Sequence, residues 1–464
     1  MDAYRTVRHP LALLRDGTGL THGAYAQLVA ETHAALGFGN MAARREKVAR
    51  WESGKVIPEA KAQLAMAHVH GVPRSEVLRL GWPDWLYAAT GHSELLTAPW
   101  TWDTALQALD RTGKATSRSV DRGYQALSCE EGIADLAASW LDAVAATPRW
   151  QPAEGHQRID GSTVDLLEQR QLQLHALVAT LGSLAVRPLA DAEQRTISDL
   201  VRSASCDRAT SARLLALAAD ATSFAGLRAF ELGDNMRAQA AYLASLRAAA
   251  AAGDPQLGAY GMTLLARQKI DLHDVVGTHA LIDAAERLCA HSRPSPRLSA
   301  HFAITRALTS ALQGDREAVE RHIDAARTLH SASPHDDDPS CVDWVTPESI
   351  LIQAGNAYVY LGDRTKAMEY LLPLFGSTPA TLTNPAITQR DIEFGNTHIA
   401  LAYAASGEMD MAIEWARKIP PALNKSQSYP VKIYFQRVLT KLNEHRRTPV
   451  VREFLKEQKL AQKV

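Results

Sequence analysis

Apolar residues recur along this chain at intervals of three and four, and alternating runs of β-branched residues are scarce. That spacing lays a stripe along one face of a helix, whereas strict alternation would mark a strand. Glycines and prolines gather between the periodic segments, where they end one helix and open the next. The pattern predicts an all-α protein. At the N-terminal end it predicts helices over 10–16, 21–36, 41–52, 58–70 and 73–80. Gly17 and Gly19 stop the first, Thr21 caps the second, and Gly54, Gly71 and Gly81 close the later ones. Leu64, Ala67 and Val69, with Val77 and Leu80, supply a small core.

The most informative segment runs Arg44-Arg45-Glu46-Lys47-Val48-Ala49-Arg50-Trp51-Glu52-Ser53-Gly54-Lys55. Val48 and Trp51 are three residues apart and share a buried face. Arg44, Arg45 and Lys47 point away from it, where they can meet the edges and phosphates of a DNA groove. The bland alternative for such a run is a solvated helix face.

This part of the chain resembles the Xre/Cro family of helix-turn-helix regulators. The resemblance is carried by Thr18-Gly19-Leu20-Thr21, by Arg50-Trp51-Glu52-Ser53-Gly54 and by Gly71-Val72-Pro73. It implies a DNA-binding domain over 1–88. In it Trp51 is structural and Arg15 pairs with Glu52. Arg44, Arg45 and Lys47 reach base edges, Arg50 and Lys55 hold phosphates, and Thr21 and His22 flank the DNA. His22 stands where the family usually has Gln. The connection before the third helix is also longer than usual, adding much of Val29–Ala42 and ending in Gly37-Phe38-Gly39-Asn40. Gly37–Ala42 also spells a dinucleotide fingerprint, which needs a preceding strand that the pattern does not supply.

Trp82, Trp85, Trp100 and Trp102 mark a linker, assigned to 89–124. They are expected to pack it onto a neighbouring domain; a dimer contact is the sharper reading. From 125 to 445 helix follows helix with the spacing of a tetratricopeptide unit of about 34 residues. Gly355, Tyr358, Gly362, Ala367 and Pro379 match one unit, Gly226, Gly233 and Ala238 a second, and Tyr403, Gly407 and Ala412 a third. Each helix pair leaves an apolar face that the next pair covers, so the units stack as a solenoid. Residues 446–464 suit a capping helix.

A helix-turn-helix joined to such repeats resembles the peptide-responsive regulators of Gram-positive bacteria and the large Xre-type regulators of actinobacteria. The resemblance implies a homodimer on double-stranded DNA, an inverted repeat, with a peptide or small signal molecule as effector. Asn356, Tyr360, Asn396 and Arg306 are the ligand contacts it suggests. The rival reading is a scaffold whose repeats bind a partner protein.

Composition narrows this further. With a net charge of −1 over 464 residues, 46% hydrophobic and 22% charged, the chain has no general attraction to nucleic acid, so any DNA contact must be local. Cys129, Cys206, Cys289 and Cys341 form no CxxC pair, which suits a reducing cytoplasm. No signal peptide or uninterrupted membrane span is expected. His335-Asp336-Asp337-Asp338 reads as a solvated loop rather than a metal site. No HExxH, Walker loop or nucleophile elbow occurs. Neither cofactor, metal nor catalytic activity is therefore expected.

Overall fold

The computed structural model describes residues 10–17, 20–70, 72, 74, 77–78, 81–83, 85–88, 99–114, 130–145, 157–271, 275–290, 294–331, 338–376, 387–419 and 428–461. The fold is all-α; besides helices, the described residues hold only a short parallel bridge between Gln157–Arg158 and Ala204–Ser205.

Five helices come first: α1 (Pro10–Gly17), α2 (His22–Ala35), α3 (Arg45–Glu52), α4 (Ala60–Val69) and α5 (Trp85–Ala88). Leu11, Tyr25, Val29, Val48, Trp51, Met66, Trp85 and Leu86 form their common core. The third helix starts at Arg45, later than the expected Met41. The reason lies in the long connection: Gly37 and Gly39 adopt positive φ, and buried His33 holds the Gly39 carbonyl through Nδ1 at 2.8 Å. The chain is thereby pinned in non-helical form up to Arg44. Of the helix expected over 73–80, the described Arg74, Val77 and Leu78 are helical.

The tryptophans divide between two cores. Trp85 is fully buried among α1–α5, edge-on to Trp82. Trp100 and Trp102 pack on the larger core, with the Arg247 guanidinium 4.5 Å above the Trp100 ring. Residues 115–129, most of the polar segment that follows, lie outside the described residues.

Next come α6 (Trp102–Lys114), α7 (Glu130–Ala145) and α8 (Gly161–Ser203). Six helical hairpins follow: α9 (Arg208–Glu231) with α10 (Asn235–Ala252), α11 (Pro255–Asp271) with α12 (Val275–Cys289), and α13 (Pro296–Gln313) with α14 (Arg316–Ser331). The others are α15 (Pro347–Tyr360) with α16 (Arg364–Phe375), α17 (Gln389–Ala405) with α18 (Met409–Arg417), and α19 (Tyr429–Glu444) with α20 (Pro449–Ala461). The first helix of each hairpin packs on the first helix of the next, and one continuous apolar core runs from Ala108 to Phe454. The repeat glycines do two jobs. Gly233, Gly362 and Gly407 take positive φ at the turns. Gly226 and Gly355 let the paired helices close: a Cβ at 355 would lie 2.5 Å from Leu371 Cγ. Pro379 and most of the expected long loops lie outside the described residues.

One feature departs from the sequence pattern. The apolar periodicity of 161–203 is continuous, yet Gly182 sits at φ 76°, ψ 168°, a conformation reserved for glycine, and the helix folds back on itself there. Arg170 on one arm bonds Glu193 on the other at 3.0 Å, and Leu174 and Val178 pack with Val186 and Ala190. This segment contains a window with membrane-like mean hydropathy, 1.2, that is only 11% buried. Because the arms run side by side, exposed Leu181 and Leu184 sit at the tip of a hairpin, with Leu166, Leu172, Leu177 and Leu189 along its arms.

Candidate nucleic-acid interface and ligand cavity

Helix α3 is short and fixed from behind. Val48 is fully buried and Trp51 is 5% exposed, so the opposite face is turned to solvent. Glu52, at its last turn, is the anchor. Arg15 donates from Nε to Glu52 Oε1 at 2.6 Å and from Nη2 to Oε2 at 3.3 Å, and its Nη1 reaches the Leu20 carbonyl at 2.8 Å. Arg15 is buried and Glu52 nearly so, with side chains 7% and 9% exposed. His22 Nε2 lies 2.8 Å from Glu52 Oε2, which ties the start of α2 to the end of α3. Thr21 caps α2, its Oγ1 accepting from the Ala24 N–H at 3.2 Å.

Around α3, Arg44, Arg45, Lys47, Arg50 and Lys55 are all exposed. Arg44 is the N-cap residue of α3, and Lys47 lies in its first turn. Arg45 bonds the neighbouring Glu46 at 2.9 Å, which holds that carboxyl below its usual range; both side chains are exposed, so the pair contributes little. The other four make no ion pair with any described residue. The result is a compact cationic surface on a rigid support, with Thr21 and His22 at its border. Such a surface can neutralise phosphates, and its arginines can take guanine edges.

A second site lies in the hairpin stack. A cavity of about 730 Å³ opens where α9, α11, α13, α15 and α17 face the folded tip of α8. Its walls are largely apolar, from Leu227, Phe230, Leu264, Ile304 and Ile352 below to Val178, Leu181 and Leu184 above. Polar groups are interspersed among them. Glu231 accepts from Arg390 Nη2 at 3.0 Å and from Ser428 Oγ at 2.8 Å. Burial would raise that carboxyl, but Arg390, Ser428 and Arg228 outweigh it and hold it below its usual range. His301 Nε2 meets Thr263 Oγ1 at 3.0 Å, and burial holds the imidazole down to about 4.

The four residues expected to touch a ligand lie elsewhere. Asn356 is buried beside Gln353, which does line the cavity; its Nδ2 lies 3.4 Å from Gln353 Oε1. Tyr360 stacks on Tyr434 and bonds its hydroxyl. Asn396 is buried within α17. Arg306 is clamped by Asp283 at 2.6 Å and Glu286 at 2.7 Å, away from the cavity. Repeat register identifies the helix that faces inward but leaves open which of its turns stays uncovered. The residues that do line the cavity, Arg228, Arg267, His301 and Arg390 among them, are scattered over four helices and share no motif. Asp338, at the end of the acidic loop, pairs with Arg297 at 3.3 Å; His335–Asp337 lie outside the described residues.

No family model matches the chain, and no curated protein is significantly similar to it.

Proposed function

We propose that this protein is a sequence-specific DNA-binding regulator. Its N-terminal helices are read as a helix-turn-helix of Xre/Cro type, and its hairpin stack as a tetratricopeptide-like solenoid that dimerises and senses an effector. The observation that carries the reading is the α3 surface: three exposed basic side chains on a short helix, Arg45, Lys47 and Arg50, and two flanking it, Arg44 and Lys55, with the back of the helix buried and locked by the Arg15–Glu52 pair. A charge run without a purpose needs no such anchoring. A single short helix gives little specificity alone, so two copies on an inverted repeat in double-stranded DNA are required for tight binding. The cavity in the hairpin stack supports effector sensing, and no catalytic role is assigned. In this reading the protein acts in the cytoplasm.

The test is selection of DNA from a random pool with the full chain, followed by gel shift at two salt concentrations. Enrichment of an inverted repeat, with affinity falling steeply as salt rises, is expected. A second reading, a protein-interaction scaffold, draws on the exposed Leu166, Leu177 and Leu189 of α8. It predicts no enriched sequence.

A further inference from the structure

Every charged side chain of the cavity can be asked where its counter-charge lies. Arg390 has Glu231 at 3.0 Å and Asp391 at 3.4 Å. Asp391 accepts from Thr388 Oγ1 at 2.7 Å within the α17 cap, and Asp343 from Arg297 at 3.0 Å. Glu393 accepts from Gln389 through Oε1 at 3.3 Å. Arg267 lies over the Phe394 ring and is engaged with the protein.

Arg228 stands apart. It lines the cavity and is 5% exposed; its guanidinium rests 4.9 Å over the Phe224 ring, and it makes no hydrogen bond to any described residue. The carboxylate acting on it is Glu231, one helical turn on, whose two oxygens already accept from Arg390 and Ser428, and the Arg390 cation lies near enough to repel it. Arginine does not give up its proton in a protein. A buried cation with no acceptor is costly, and the walls around it are apolar. Other lining residues also hold a buried polar atom without a partner, among them His301 Nδ1, Arg390 Nε and Glu393 Oε2, but each of those side chains makes another hydrogen bond; Arg228 makes none to any described residue and lacks an anion. Over the rest of its surface the cavity offers Leu172 on the first arm of α8 and Leu181 and Leu184 at its tip, which are 43%, 53% and 47% exposed.

We propose that this cavity binds an amphipathic monocarboxylate, with its head on Arg228 and its aliphatic or aromatic body beneath the folded tip of α8. This deepens the effector reading and rests on it for the link to DNA; the binding step itself stands without DNA. The geometry assigns each end of the ligand. The carboxylate supplies the acceptor that Arg228 lacks, a charge-assisted bond in a dry site. The hydrocarbon covers leucines that otherwise face water. A neutral or cationic ligand of the same length would gain only the second term.

The experiment is titration calorimetry on the full chain with decanoate, decanol and decylammonium. Decanoate is expected to bind at least about tenfold more tightly than the other two. Arg228→Met should remove that preference while leaving decanol binding unchanged. Should Arg228→Met fail to fold, Leu181→Asp, at an exposed position, should weaken decanoate more than decanol by placing a like charge at the mouth. Equal binding of all three probes, or preference for decylammonium through Glu393, would overturn the proposal. Gel shift on selected DNA with and without decanoate is a separate readout. Saturable decanoate binding with Arg228 dependence but unchanged DNA affinity would keep the site and overturn its role as the effector pocket.

Discussion

At the scale of single residues, the chain places its most costly groups where they hold a surface in shape. Glu52 receives two bonds from Arg15 and one contact from His22 while remaining nearly buried. Removing one partner of a buried pair strands the other, at a cost of roughly 3–5 kcal/mol. Glu52→Ala should therefore loosen α1–α4 and leave the hairpin stack intact. Hydrogen exchange would show this as faster exchange confined to residues 10–70, and uniform protection would contradict it. Buried imidazoles give a second prediction. Burial holds His70 and His301 down to about 4 and His398 to about 3, against an ordinary 6.5. The unfolded chain takes up these protons as pH falls below 6.5, and the folded chain does so only near 4 or below. Stability from these sites is complete above 6.5 and is lost as pH falls through the window below it. Tm should drop between about pH 7 and about pH 5. A constant or rising Tm would contradict this.

At the scale of elements, glycine decides how closely helices pack. A Cβ on Gly258 would lie 2.0 Å from Trp140 Cζ2, and the ring cannot retreat because its Nε1 donates to the Leu246 carbonyl at 2.9 Å. Gly258→Ala should cost at least about 1–3 kcal/mol, since overpacked cores must shift backbone. Gly362→Ala differs: nothing lies within 4 Å, and only the positive φ of 73° is strained, at a cost of about 1 kcal/mol. Chemical denaturation of the two variants should rank them in that order. Much of this architecture is legible in the sequence. Gly226 and Gly355 mark close approaches, Gly362 and Gly407 mark turns, and the apolar period yields the helices. The fold at Gly182 is not legible, because a lone Gly-Ser step is compatible with an unbroken helix, and Pro188, six residues on, is itself held inside the second arm. Nor can sequence show that the third helix begins at Arg45, since that depends on His33 reaching the Gly39 carbonyl.

At the scale of the whole molecule, two sites of opposite character emerge. One is a cationic surface turned to solvent at α3, spelled out by consecutive residues and so visible from sequence. The other is a cavity assembled from side chains contributed by helices far apart in the chain. Arg228 and Arg390 are more than 150 residues apart, and only the stacking of hairpins brings both to one wall. No local pattern could announce it. In the proposed function these sites are the output and the input of one regulator. Signal passing between them requires that a ligand bind two states of the molecule unequally.

The measurement that tests the central claim most directly compares the full chain with an Arg44→Ala, Arg45→Ala variant on DNA enriched by selection. Both residues are exposed, so the variant should keep the fold and the Tm of the parent. The account predicts a loss of at least about tenfold in affinity for the enriched sequence, with far less change on unrelated DNA. An unchanged footprint from a folded variant would contradict the assignment of α3 as the surface that reads DNA.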